Sequence, residues 1–177
     1  MSSIIKVDQI QLADGSTPTA GDLGLNVTGG VLQVVQGTTI TQVNSSSTSF
    51  SDTGLSASIT PSSTSSKILV TMSAVVGTNC NGSPNTVLLR VLRDSTVITN
   101  QDYLGYAEDL RGIQCGASIS KLDSPSTTSA ITYKVQYSSD PNKNGGQVYF
   151  CTNDDGSSSN VNTQSTECTL TLIEIAG

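Results

Sequence analysis

The chain has 177 residues, of which 12% are charged, with a formal net charge of −6 and no histidine or tryptophan. This acidic balance repels the phosphate backbone of nucleic acid, and the eight Lys and Arg residues are scattered singly, so they form no basic face for an anionic membrane. Without histidine, neither a Ser–His nor a Cys–His nucleophilic pair can form. We therefore expect neither a nucleic-acid partner nor a membrane partner, and no catalysis of this kind.

The N-terminal part of the chain, residues 1–29, differs from the rest. Its first half carries five apolar side chains: Ile4, Ile5, Val7, Ile10 and Leu12. A turn-rich run at 14–22 follows, and Gly29–Gly30 marks a boundary with residues 30–177. Because so few apolar residues cannot fold alone, we expect this arm to dock on another protein, in part by adding a strand to a sheet edge. Packing of the arm on its own body or on a sister subunit is the alternative.

Residues 30–177 alternate apolar and polar side chains in short segments, the two-residue period of half-buried strands. The clearest case is 54–76, where Pro61 and a run of Ser and Thr separate two such segments. We predict strands at 31–35, 38–43, 54–60, 68–76, 86–92, 96–100, 115–122, 131–137, 148–150 and 168–175. The stretch 103–114 does not alternate and is predicted to be a loop with a helical turn at 107–111. The whole predicts an all-β fold, an antiparallel β-sandwich of jelly-roll type.

The last predicted strand, 168–175, has apolar residues at both even-numbered and odd-numbered positions, so both of its faces are apolar. Leu170 and Leu172 lie on one face, and Ile173 and Ile175 lie on the other. A one-sided surface strand needs only one such face, so we expect one face to meet the core and the other to meet a neighbouring subunit. A strand buried on both faces within a monomer is the alternative.

Four cysteines, Cys80, Cys115, Cys151 and Cys168, match no metal or redox spacing. The first residues contain no apolar signal-peptide core, which predicts a chain made in the cytoplasm, where thiols stay reduced. Two interpretations stay open: all four are free thiols, or Cys151 and Cys168 form a disulfide at the base of a hairpin.

Other candidate chemistry is weak. The adjacent carboxylates Glu108–Asp109 and Asp154–Asp155 are expected to be solvated loop charges, and the run 153–156 lacks the spacing of a calcium-binding EF-hand loop. We therefore predict no catalytic residue, no cofactor and no metal site.

Several stretches carry a resemblance when they are taken together: Ser2–Ile10, Asp14–Leu25, Ile59–Val70, Asp123–Ala130 with Tyr133–Gln136, and Leu172–Ala176. They resemble small fibre and decoration (cement) proteins of tailed bacteriophages, particularly phages of cyanobacteria. The stretches 77–84 and 103–115 depart from this pattern.

The resemblance implies a virion protein made in the host cytoplasm, with a virion-attachment arm and a β head that forms a homotrimer. Residues 1–29 would bind the major capsid protein or another virion protein, which makes the chain a cement protein or short head fibre. Alternatively, it is a tail-fibre tip that binds a host-surface glycan or envelope protein through loops near Asn81, Tyr106 and Ser157.

Overall fold

The computed structural model describes residues 11, 13–17, 28–79, 84–107, 112–142, 146–152 and 166–177. Within these ranges the chain forms ten strands and no helix. The strands are β1 (Val31–Thr39), β2 (Val43–Ser45), β3 (Ser51–Ile59), β4 (Lys67–Thr78), β5 (Asn85–Arg93), β6 (Thr96–Ala107), β7 (Ile113–Asp123), β8 (Ile131–Ser139), β9 (Val148–Phe150) and β10 (Cys168–Ile175).

The strands form two antiparallel sheets packed face to face. One sheet has the order β1-β10-β4-β7. Beyond the end of the β10 pairing, β4 pairs with β9 along the same edge, and β9 pairs in turn with β2. The other has the order β3-β8-β5-β6. If the short β2 and β9 are left out and the other eight strands are counted in chain order, one sheet has the order 1-8-3-6 and the other has the order 2-7-4-5. This is jelly-roll connectivity. The predicted fold class is confirmed.

The core lies between the sheets and is built by every second residue of most strands, because successive side chains of a strand point to opposite faces. Val70 and Leu170 from the first sheet and Val91 and Tyr133 from the second are all fully buried in one cluster. The polar residues between them, such as Ser73, face outwards. The alternation in the sequence therefore translates directly into one inner and one outer face per sheet.

Two sequence predictions about strand bounds are wrong. Gly37 was expected to separate two strands, but β1 continues through it to Thr39. A Cβ at Gly37 would collide with the carbonyl of Ser56, so the glycine is required where the edge strands of the two sheets approach each other.

The second error concerns 103–114, predicted to be a loop with a helical turn at 107–111. Strand β6 runs to Ala107 and β7 begins at Ile113, while residues 108–111 lie outside the described part of the chain. The pairing of β5 with β6 shifts register at Val87, and Gly105 has a φ of 61°. Such bulges break the two-residue period, so the alternation that reveals the other strands is absent here.

The sandwich has two distinct ends. At the arm end the chain enters the body, where the Gly29 amide donates to the Ala176 carbonyl (2.7 Å) and the Ala176 amide donates to Gly30 (2.8 Å). The connections 60–66, 94–95 and 124–130 lie at this end. The connections 46–50, 79–84, 108–112 and 140–147 join strands at the opposite end, the distal end.

Candidate interaction surfaces

A buried carboxylate holds the arm end together. Glu174, in β10, is fully buried and accepts hydrogen bonds from the amide and the hydroxyl of Ser62 (both 2.7 Å) and from Gln33 Nε2 (2.6 Å). Burial by itself raises the pKa of Glu174, but the hydrogen bonds from Gln33 and Ser62 outweigh it and lower the pKa to about 2. The ionised side chain therefore clamps the β3–β4 connection and β1 to the last strand.

A second polar cluster joins the two sheets at the same end. Arg93 Nη1 and the hydroxyl of Tyr133 both donate to Asp123 Oδ2, each at 2.7 Å. Burial raises the pKa of Tyr133, and the hydrogen bond to Asp123 raises it further, so the phenol stays a donor. Asp123 belongs to the first sheet, whereas Arg93 and Tyr133 belong to the second.

The sequence stretches that resemble phage proteins contribute residues to these two clusters. Ile59–Val70 supplies Ser62, Asp123–Ala130 begins with Asp123, and Leu172–Ala176 contains Glu174. All of these stretches lie at the arm end, whereas the departing stretches 77–84 and 103–115 reach the distal end. The resemblance is thus concentrated where the N-terminal segment meets the body. The predicted attachment residues Ile4, Ile5, Val7, Ile10 and Leu12 lie outside the described residues.

The outer face of the first sheet carries an apolar row. Val34, Ile173, Leu69 and Leu122 are opposite one another on β1, β10, β4 and β7. Val34 is 58% exposed and Leu122 is 49% exposed, although both are large apolar side chains. At the start of β1, Val31 and Leu32 add exposed apolar surface next to Ile175; together these seven residues are called the outer apolar row below. An exposed contiguous apolar patch marks a candidate interface.

This face carries few charges. The next row in register consists of Gln36, Thr171, Thr71 and Ser120. Of the residues that lie opposite a member of the outer apolar row on a neighbouring strand, Lys67 carries a charge, and it lies opposite Ile175. A contact between two copies of this face would therefore not place the carboxylates of two chains with a net charge of −6 against each other.

The predicted trimer-interface residues divide between the two faces of β10. Leu170 and Leu172 are fully buried in the core of their own subunit, so they are not available to a neighbour. Ile173 and Ile175 are partly exposed on the outer face. Sequence reasoning did not single out the other exposed members of the row, Val31, Leu32, Val34 and Leu122. The adjacent apolar residues Val34 and Val35 point to opposite faces of β1 and were a signal comparable to that in β10.

The predicted receptor-loop residues are described only in part. Asn81 and Ser157 lie outside the described residues, and Tyr106 lies in β6 opposite Thr86, in a strand rather than a loop. The distal end instead contains a buried polar group that sequence reasoning missed: the Ser139 hydroxyl donates to Asn85 Oδ1 at 2.7 Å, next to buried Ser138 and Asp140.

The candidate disulfide partners are both free thiols. Cys151 and Cys168 are buried, and the Cys151 thiol lies 2.9 Å from the Thr166 carbonyl. Burial raises the pKa of Cys151 to about 12, and a hydrogen bond with Cys168 adds to the shift. The two thiols are therefore neighbours at the base of the 152–167 connection, and Cys151 is strongly disfavoured as a thiolate. Cys115 is also free, and Cys80 lies outside the described part of the chain.

The described residues contain no group of three or more Cys, Asp or Glu side chains that converge on a metal position. The adjacent carboxylates Glu108–Asp109 and Asp154–Asp155 lie outside those residues. In the same part of the chain there is no helix long and apolar enough to cross a membrane. Comparison with protein-family models finds no match for this chain. Comparison with curated proteins gives no significant match either.

Proposed function

We propose that the chain is a non-enzymatic structural protein of a tailed-phage virion, a β head anchored on the capsid surface by residues 1–29. The head is a cement protein or a short head fibre, and it acts as a homotrimer. The residues proposed to bind the major capsid protein or another virion protein are Ile4, Ile5, Val7, Ile10 and Leu12.

The observation that carries this proposal is the division of the head into two ends. The N-terminal segment joins the body beside Ala176, at the end where the stretches that resemble phage proteins gather. The Glu174 clamp and the Asp123 cluster hold this end together through partly buried hydrogen bonds. A hydrogen-bonded platform next to the attachment segment, with several strand connections at the opposite end, suits a protein that stands on a surface. Jelly rolls are common in viral capsid proteins, which supports the proposal by analogy of fold.

The outer apolar row supports the homotrimer. It offers a nearly uncharged apolar surface that the monomer leaves exposed, and its centre is the partly exposed Ile173. Burial of such surface contributes about 25 cal/mol per Å², so roughly 400 Å² of apolar area per subunit is worth about 10 kcal/mol before the costs of association. Avidity then adds to the weak binding of a single arm when three arms engage together.

The attachment test replaces the five apolar arm residues by serine and keeps the chain length. We expect the variant head to fold and to associate as the wild type does, but to be lost from purified phage particles. A control variant replaces Gln9 and Gln11 in the same segment by serine and should remain on the particle. Normal incorporation of the five-serine variant would rule the anchor out.

The trimer test uses Val34→Asp, with the exposed Val97 of β6, changed to aspartate, as the matched control. Light scattering should give three times the 18.3 kDa chain mass for the wild type and for the control, and the single-chain mass for Val34→Asp. A wild-type head that scatters as a monomer at micromolar concentration would refute the trimer.

A receptor-binding tip is the second candidate function, favoured by the four connections grouped at the distal end. Jelly rolls also occur in lectins, and loops at one end of a sandwich are the usual place for recognition. Saturable binding of the purified head to host cells or to their envelope polysaccharide would favour this function. Release of reducing ends from the polysaccharide would instead indicate an enzyme.

A further inference from the structure

Asp140 is a buried carboxylate of which only one oxygen accepts hydrogen bonds. It directly follows β8 at the distal end and is 1% exposed. Its Oδ1 accepts from the amide (2.8 Å) and from the Nδ2 (3.2 Å) of Asn142, whereas its Oδ2 has no hydrogen-bond partner. The ion pairs of the described residues, Arg93–Asp123 and Lys134–Asp52, do not involve it.

Ser138, two residues before Asp140, carries a second unpartnered oxygen. It is fully buried, and its hydroxyl has no hydrogen-bond partner. Ser138 is the second-last residue of β8, and in an extended chain the side chains of residues 138 and 140 point to the same side. Ser139, between them, points to the opposite side, where it donates to Asn85.

An unpaired charged oxygen in the protein interior costs several kcal/mol, so native structures satisfy such groups with an ion, a water molecule or a donor. Here two unpartnered oxygens of different chemistry belong to buried residues two positions apart, and Asn142, whose amide carries a third oxygen, already contacts Asp140. Carboxylate, hydroxyl and amide oxygens are hard ligands, the kind that calcium prefers.

The sequence supplies an independent argument. The run Asp140-Pro141-Asn142-Lys143-Asn144-Gly145 has oxygen-bearing side chains at every second position, followed by glycine, which is the spacing at the start of calcium-binding loops. The run 153–156, by contrast, lacks this spacing. The last three residues of the motif lie outside the described residues, and the structural argument rests on Ser138, Asp140 and Asn142.

We propose that Asp140, Ser138 and Asn142 form a calcium site at the distal end, with water completing the coordination. The Asp140 carboxylate supplies the charge, and the Ser138 hydroxyl and the Asn142 amide oxygen supply neutral ligands. One carboxylate gives a weak site, in the range of about 10⁻⁴ to 10⁻³ M that extracellular calcium modules use. Bound calcium would fix the start of the β8–β9 connection, next to the loops that the proposed function places outermost.

The test measures calcium binding by the full-length chain after treatment with a chelator. Equilibrium dialysis with radioactive calcium should give one ion per chain, and thermal unfolding should shift upwards by about 3 to 6 °C at ten times the dissociation constant. Asp140→Asn should abolish both effects, yet unfold no earlier than the wild type when calcium is absent, because it removes an uncompensated buried charge. The matched control Asp155→Asn, in the run 153–156, should bind as the wild type does.

Ser138→Ala serves if Asp140→Asn does not fold; it keeps the charge, removes one ligand and should weaken binding about tenfold. The proposal is overturned if millimolar calcium neither binds nor stabilises the wild type, or if Asp140→Asn and Ser138→Ala bind as the wild type does. Loss of binding in Asp155→Asn alone would move the site elsewhere, and stronger stabilisation by magnesium than by calcium would overturn the choice of ion.

Discussion

Replacing Glu174 by glutamine tests whether the clamp at the arm end stabilises the head. Glutamine has the same shape, but it offers one acceptor oxygen and one donor nitrogen where Ser62 and Gln33 together present three donors. At least one of these donors then faces the new amide nitrogen and loses its partner inside the protein. A buried donor without a partner costs its full desolvation penalty.

The pKa of Glu174 gives the expected size of the effect. It falls from the ordinary value of 4.5 to about 2, and because one pKa unit corresponds to ~1.4 kcal/mol, the ionised carboxylate contributes up to about 3 kcal/mol to the free energy of unfolding. For a chain of this length that loss lowers the midpoint of thermal unfolding by roughly 6 to 12 °C.

The same pKa fixes the pH dependence. Because the pKa of Glu174 is lower in the folded than in the unfolded chain, the contribution is fully present above pH 4.5 and is lost as the pH falls towards 2. We therefore expect the difference between wild type and Glu174→Gln to be constant from pH 5 to 8 and to shrink below pH 4.5.

Urea unfolding at several pH values and one chain concentration measures this difference, since association also contributes to apparent stability. The control is Glu167→Gln, an exposed glutamate just before β10, which should change the free energy of unfolding by less than about 0.5 kcal/mol. The reasoning fails if Glu174→Gln is as stable as the wild type at pH 7, or if the difference is the same at pH 2.5 as at pH 7.

Two further predictions concern the edge contact and the thiols. Gly37→Ala should destabilise the head by about 1 to 3 kcal/mol in urea unfolding, because its Cβ meets the Ser56 carbonyl, and an unchanged midpoint would contradict that contact. Cys151, with its pKa raised to about 12, should stay reduced and resist iodoacetamide in the native protein at pH 8 but react after unfolding. A Cys151–Cys168 disulfide in native protein, found by mass spectrometry, would contradict this expectation.

The fold class could be predicted because most strands keep a strict two-residue period. In β4, Ile68, Val70 and Met72 all reach the core, and the alternation alone identifies the inner face. The continuation of β6 beyond residue 100 could not be predicted, since the shifts of register around Val87 and the φ of Gly105 interrupt that period. The bulges depend on the partner strand, which no local pattern reveals.

The candidate surfaces were harder to predict from the sequence than the fold class. Glu174 looks like an isolated charge in an apolar strand, and only the fold brings Ser62 and Gln33 to it from distant parts of the chain. The outward position of Leu122 depends on pairing with Leu69. Asp140 is different, because its spacing to Asn142 and the following glycine was present in the sequence, while its burial was not.

The two functions proposed for the head depend on different parts of the chain, capsid attachment on the arm and receptor binding on the distal loops, so they can be tested separately. The connections 79–84, 108–112 and 140–147 begin after the last core residues of their strands, so changes within them leave the buried cluster intact. Changes in residues 1–12 likewise leave the Glu174 clamp untouched, because its donors are Ser62 and Gln33. Loss from the particle with unchanged cell binding would therefore implicate the arm alone. Loss of cell binding with normal incorporation would implicate the distal loops, and with them the receptor-binding function.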